Sequence, residues 1–215
     1  TGNFGDVYAG YLAKKIGLPI NKFVVATNQN DILHRAISKG KYNIENVLET
    51  ISPSMDIQIA SNFERLIYDL KDRSDEKTTE VMKKIKEQGK YLIDKESLVK
   101  INIDFLSSRM DENEVLKTIK TVYEKYNIVL DPHSAIGYGA FDKVSLKGNN
   151  VVLATAHPCK FPDAIEKAIN LKSELQSKLA YVLDEKENYD IIDNDLSKIK
   201  KYIKERIKWK LMKMI

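Results

Sequence analysis

Cysteine is almost absent from this 215-residue sequence: Cys159 is the only one, which excludes an internal disulfide framework and fits a reducing, cytoplasmic compartment. Long hydrophobic runs are missing too. The longest, "KFVVAT" and "VVLATA", have strand length, well short of the roughly 20 apolar residues that span a bilayer, so no membrane partner is expected. Charge of one sign is scarce: 35 Lys and Arg stand against 31 Asp and Glu, and the net +4 is spread along the chain. Nucleic-acid binding needs clustered basic residues, and only the C-terminal tail has any, so no nucleic-acid partner is expected. One cysteine and three histidines cannot supply a spaced metal-ligand set. Internal repeats and low-complexity linkers are absent. What remains, 43% hydrophobic and 31% charged, is the composition of a globular protein with a buried core.

The chain opens on "TGNFGD" and runs into a helix predicted over Val7 to Gly17, with Gly17 as its stop and Pro19 beyond it. "NKFVVATN" reads as a buried strand, and "DILHRAISKG" as a short helix capped by Asp31 and closed by Gly40. The middle reads as helical. "MDIQIASNFERLIYDLKD" puts Ile59, Phe63, Leu66, Ile67 and Leu70 on one face, "SDEKTTEVMKKIKEQG" starts at Ser74 and stops at Gly89, and "DENEVLKTIKTVYEKY" is acidic first and basic last, as the helix dipole prefers. The pattern then returns to strand "NIVL", helix "DPHSAIGYGAFDKV", strand "NNVVLATA" and helix "FPDAIEKAI". The last stretch spaces Ile199, Ile203, Ile207, Leu211 and Ile215 four apart, a continuous stripe that favours docking over binding lipid or RNA through Trp209 and its lysines. The fold class expected is α/β: a parallel sheet with covering helices and a helical insertion. Its α/β segments are 1–50 and 128–170, its insertion 51–127, and its C-terminal helical segment 171–215.

Several constellations could carry chemistry. Backbone N–H groups in the opening loop could seat an anion at a helix N-terminus, with Gly2 and Gly5 allowing close approach and Asn3 adding a side-chain donor. It is neither a Walker loop nor a dinucleotide fingerprint, and a plain entry turn is an equal reading. "LATAHPCKF" places the Thr155 hydroxyl at the end of a predicted strand, where α/β sheets bind ligands, with His157 and Cys159 just beyond. Cys159 reads best as a small buried thiol, and His133 best as a hydrogen-bonded structural histidine. "ATNQND" is a ligand edge or a set of turns and caps, and Arg35 is either an ion-pair partner of Asp31 or an anion ligand.

Taken together, "TGNFGD", "ATNQNDIL", "HRAISKG", "SPSMDIQIASNFERLIYDL", "LDPHSAIGYGAF", "ATAHPCKFPDAI" and "ENYDIIDNDL" resemble, in order, the longer form of threonine synthase, a pyridoxal-phosphate enzyme of fold type II. The resemblance runs from Thr1 to about Leu196 and implies a partial fold type II fold. It implies pyridoxal 5'-phosphate as cofactor, O-phospho-L-homoserine and water as substrates, and a lyase-type reaction giving L-threonine and phosphate. Gly2, Asn3, Phe4, Gly5 and Asp6 match the family's cofactor-phosphate loop, and Thr155 matches the hydroxyl facing the pyridine nitrogen. Arg35 and Lys160 are offered to the substrate phosphate. No segment matches the family's Schiff-base lysine motif, so that lysine is expected upstream of Thr1, in an N-terminal part of the same protein that acts as partner to this chain. The fragment is then expected to be inactive by itself. Two other readings stand beside this: a non-catalytic remnant or phosphate-binding module, and another fold type II enzyme such as a dehydratase, against which "SPSMDIQIASNFERL" argues.

Overall fold

The computed structural model describes residues 2–171 and 180–212. The chain divides into two compact units, 1–174 and 175–215. In the first, β1 (Phe23–Thr27) pairs in parallel with β4 (Phe105–Arg109), in register from Phe23 opposite Phe105 to Thr27 opposite Arg109. Successive residues of a strand face opposite sides, and β1 uses both. Val25 joins an apolar cluster with α1 (Gly5–Lys15), α2 (Ile32–Lys39), α3 (Phe63–Leu70), α4 (Asp75–Gln88) and α5 (Lys95–Asp104). Ala26 joins another cluster with α6 (Glu112–Tyr126), α7 (Pro132–Gly139) and α8 (Pro162–Ile169). The result is a small parallel sheet covered by helices on both faces, the α/β class that the sequence suggests. A separate antiparallel ribbon joins β2 (Lys41–Asn43) to β3 (Lys90–Leu92).

Helix boundaries follow local chemistry. The Ser74 hydroxyl accepts from Lys77 N–H at the start of α4, and Gly40 and Gly89 end α2 and α4 in the left-handed conformation. Asp111 and Glu114 form a reciprocal capping box on α6. Asp31 does not cap α2, because its carboxylate is drawn to Arg35 Nε at 2.7 Å and to Arg109 Nε at 3.4 Å. The helix expected from Met55 starts only at Phe63. Pro53–Met55 forms a 3-10 turn, and Ile59 is exposed.

The segment 51–127 is mostly helical, yet it also supplies β3 and β4, the latter being the partner of β1. The two strands expected at 127–130 and 149–156 do not form. Asn127 is the left-handed cap of α6, and neither stretch has a strand hydrogen-bonded beside it among the described residues. A strand is defined by its neighbour, so the apolar pattern there is extended chain without pairing. In the second unit, α9 (Leu196–Met212) begins after Asp195, whose carboxylate accepts from Lys198 N–H at 2.9 Å. Arg206 and Tyr202 both meet Asp190. Ile203 and Ile207 of the apolar stripe are 51% and 55% exposed, and the side chains of Trp209, Leu211 and Ile215 lie outside the described residues. Among the described residues no helix is long and apolar enough to cross a membrane.

Candidate functional site

Phe4 caps α1 with φ 64° and ψ 2°, a left-handed conformation that costs an L-residue about 1–2 kcal/mol. Burial holds it there. Its side chain is fully buried, edge-on to Phe63 at 5.2 Å and tilted against Phe105 at 5.7 Å. A left-handed residue followed by right-handed helix turns successive N–H groups to one side, the concavity that binds anions. The first helical hydrogen bond of α1 runs from Tyr8 N–H to Phe4 C=O, and no side chain caps the helix. The N–H groups of Gly5, Asp6 and Val7 are therefore left without an intrahelical acceptor.

The loop rests on its own chain. A Cβ on Gly2 would lie 2.9 Å from both Ser54 O and Met55 Cα, so Gly2 is needed for this backbone-on-backbone contact; the positive φ belongs to Phe4. Asn3 is held through its side-chain oxygen, not its amide donor. Its Oδ1 accepts from Ser61 N–H at 2.6 Å and from Ser61 Oγ at 3.0 Å, tying the loop to the approach to α3. Asp6 is exposed in the first turn of α1.

From the Ser54 turn a line of hydrogen bonds leads to Thr155. Ser54 N–H donates to His133 Nε2 at 3.2 Å, so that nitrogen carries a lone pair and the ring proton is on Nδ1, 3.0 Å from Asp131 Oδ1. His133 is thus a neutral, hydrogen-bonded structural histidine, its ring 4.9 Å from that of Phe161. Asp131 caps α7, accepting from His133 N–H at 2.9 Å, while Oδ2 accepts from the Ser134 hydroxyl. Ser134 Oγ in turn accepts from Thr155 N–H at 3.3 Å. Burial opposes ionisation of Asp131, but the hydrogen bonds from His133 and Ser134 outweigh it and hold the carboxyl below its usual range. The Thr155 side chain is exposed.

The structure thus links Gly2 to Asp6 with Thr155 through the Ser54 turn and the head of α7. Lys160 lies exposed in the 3-10 turn Pro158–Lys160, next to Phe161, whose ring packs on His133. Arg35 is engaged elsewhere: its guanidinium reaches Asp31, Asn43 O at 2.9 Å, Gln58 Oε1 at 3.2 Å and Glu45 at 2.9 Å, the ion-pair role extended by three partners. The amides after β1 act as turn-makers. Asn28 Nδ2 lies 2.9 Å from Thr50 Oγ1, 2.9 Å from Ser52 Oγ and 2.7 Å from Asp56 Oδ1, while Asn30 pairs with the backbone of Leu48. His157 Nδ1 accepts from Cys159 N–H at 3.2 Å, and Cys159 is half-buried. Among the described residues no cluster of three His, Cys, Asp or Glu could hold a metal. Sequence reading missed Ser54 and Ser134, the two links; a serine three residues after a capping aspartate was the available signal for Ser134.

A family model described as threonine synthase, C-terminal, matches residues 134–203. The threonine synthase of Pseudomonas aeruginosa is 39% identical over 208 residues, which is 95% of this chain and 44% of that protein. That of Saccharomyces cerevisiae is 41% identical over 189 residues, 79% of this chain and 37% of that protein. Among solved structures, pyridoxal phosphate-bound threonine synthase from Brucella melitensis superposes with a TM-score of 0.86 at 41% identity, covering 95% of this chain and 44% of that one. The yeast enzyme gives 0.82 at 36% identity, covering 96% and 46%. The chain therefore spans less than half the length of the relatives it matches.

Proposed function

We propose that this chain, a homologue of the C-terminal portion of the threonine synthases, supplies the cofactor-phosphate loop and the ring-facing hydroxyl of an enzyme converting O-phospho-L-homoserine and water to L-threonine and phosphate. The observation that carries the reading is the left-handed Phe4, which opens uncapped N–H groups at the head of α1. A strained, non-glycine loop residue held by a fully buried ring fits an anion seat better than a plain helix entry. In this reading the N–H groups of the Gly2–Asp6 loop hold the phosphate of pyridoxal phosphate. The Thr155 hydroxyl faces the ring nitrogen. A neutral hydroxyl there does not hold that nitrogen protonated as a carboxylate would. Pyridoxal phosphate, when bound, supplies the electron sink for negative charge at the substrate Cα. Lys160 is offered to the substrate phosphate; Arg35, with its donors engaged, is the weaker candidate. The Schiff-base lysine, which is the natural general base, belongs to the portion of the family that this chain does not match, and a cytoplasmic setting suits the chemistry.

The test is a titration of the 215-residue chain with pyridoxal phosphate, followed by backbone amide shifts. Saturable movement of the Gly5, Asp6 and Val7 amides is expected, and it should be lost in Gly2→Ala, whose Cβ would press on Ser54 O. No saturable movement in the folded wild-type chain would sink the reading. Threonine formation by the 215-residue chain without further protein would refute the placement of the lysine.

A further inference from the structure

We infer that Asp131 is a positioning residue that holds the Gly2 loop and Thr155 in register, through His133 to the Ser54 turn on one side and through Ser134 on the other. The cofactor reading enters only in naming what is being positioned. Asp131 is 1% exposed and uses both carboxylate oxygens. Oδ1 takes the proton of His133 Nδ1, which leaves Nε2 as the acceptor that Ser54 N–H requires. Oδ2 takes the Ser134 hydroxyl proton, which turns an oxygen lone pair toward Thr155 N–H. One anion therefore fixes the tautomer of one arm and the rotor of the other. Either polarity reversed would set two N–H groups, or an N–H and an O–H, against each other. Each arm ends on backbone. Ser54 is the residue whose carbonyl Gly2 packs against, and Thr155 carries the hydroxyl at the far end. Ser54 N–H precedes the first hydrogen bond of its 3-10 turn, Met55 N–H to Ser52 C=O, and Thr155 lies in neither helix nor strand, so these bonds set where the two segments lie.

Amide hydrogen exchange on the ligand-free 215-residue chain tests this. In Asp131→Ala, exchange at Ser54 and Thr155 should accelerate about tenfold, while Tyr8 N–H, bonded within α1, keeps its wild-type rate. Asp131→Asn retains a carbonyl acceptor for His133 Nδ1 and should restore Ser54, a rescue that a general loss of stability would not produce. Ser134→Ala should release Thr155 only, and His133→Phe Ser54 only. If Asp131→Ala does not fold, the two single-arm variants decide. Wild-type rates at both amides in folded Asp131→Ala, or in both single-arm variants, overturn the inference. Titrating wild type with pyridoxal phosphate separates the two claims: absence of any response removes the cofactor reading, while the exchange rates still judge the positioning.

Discussion

Two stretches of this chain have nearly the same sequence and opposite fates. β1 is Phe-Val-Val-Ala-Thr, and residues 151–155 are Val-Val-Leu-Ala-Thr. β1 has β4 alongside it, Val25 is fully buried, and Thr27 Oγ1 donates to Ser108 O at 3.3 Å. Among the described residues no strand pairs with 151–155, Val151 is 85% exposed and Leu153 58% exposed, and Thr155 N–H donates to Ser134 Oγ. The lesson is that β-branched alternation describes a surface that fits a sheet, and the partner strand decides whether one forms. One Ala-Thr ends inside a core, while the other leaves its threonine exposed.

The largest effect should come from breaking the buried member of the pair. Val25→Asp places a charge without a partner between β1 and the helices, at a cost comparable to the ~5–15 kcal/mol of a whole domain, and should abolish the cooperative thermal transition seen by circular dichroism. Acid titration gives the next effect. Asp131 has a depressed folded-state pKa, so its contribution is present above the ordinary carboxylate value of about 4 and is lost as pH falls through the folded value. The urea midpoint should drop over that window in wild type, and the Asp131→Asn variant should lack that component of the drop. The smallest effect is expected at the exposed member: Leu153→Lys should stay within about 0.5 kcal/mol of wild type in urea unfolding. A loss of several kcal/mol there would mean that 151–155 is packed, and the contrast would fail.

Much of this was legible because it is local. Ser74, Gly40 and Gly89 act within one turn of where they stand, so their roles can be read from spacing. Pro132 after Asp131 announced α7 the same way. The strand β4 was missed because two of its five residues are serines, and its identity comes from lying beside β1. Asp31 was misread as a cap because the competing cations, Arg35 and Arg109, arrive partly from a distant strand. In the opening loop Gly2 and Gly5 read as allowing close approach, and the left-handed residue Phe4 went unread, since only tertiary packing reveals the pocket that holds its ring. Ser54 and Ser134 matter through contacts across 79 and 21 residues, which no local pattern records.

The pairing of β1 with β4 also bears on how the chain acquires its structure. The Thr27 and Ser108 that meet across it are 81 residues apart in sequence, and everything between them must be gathered before that contact forms. Closing so long a loop costs entropy before any pairing rewards it, so non-local parallel strands fold slowly. Pairing of the sheet is therefore expected to come late. Phe105, at the first rung of that ladder, lies against the ring of Phe4. The left-handed turn at Phe4 is therefore expected to mature together with the sheet.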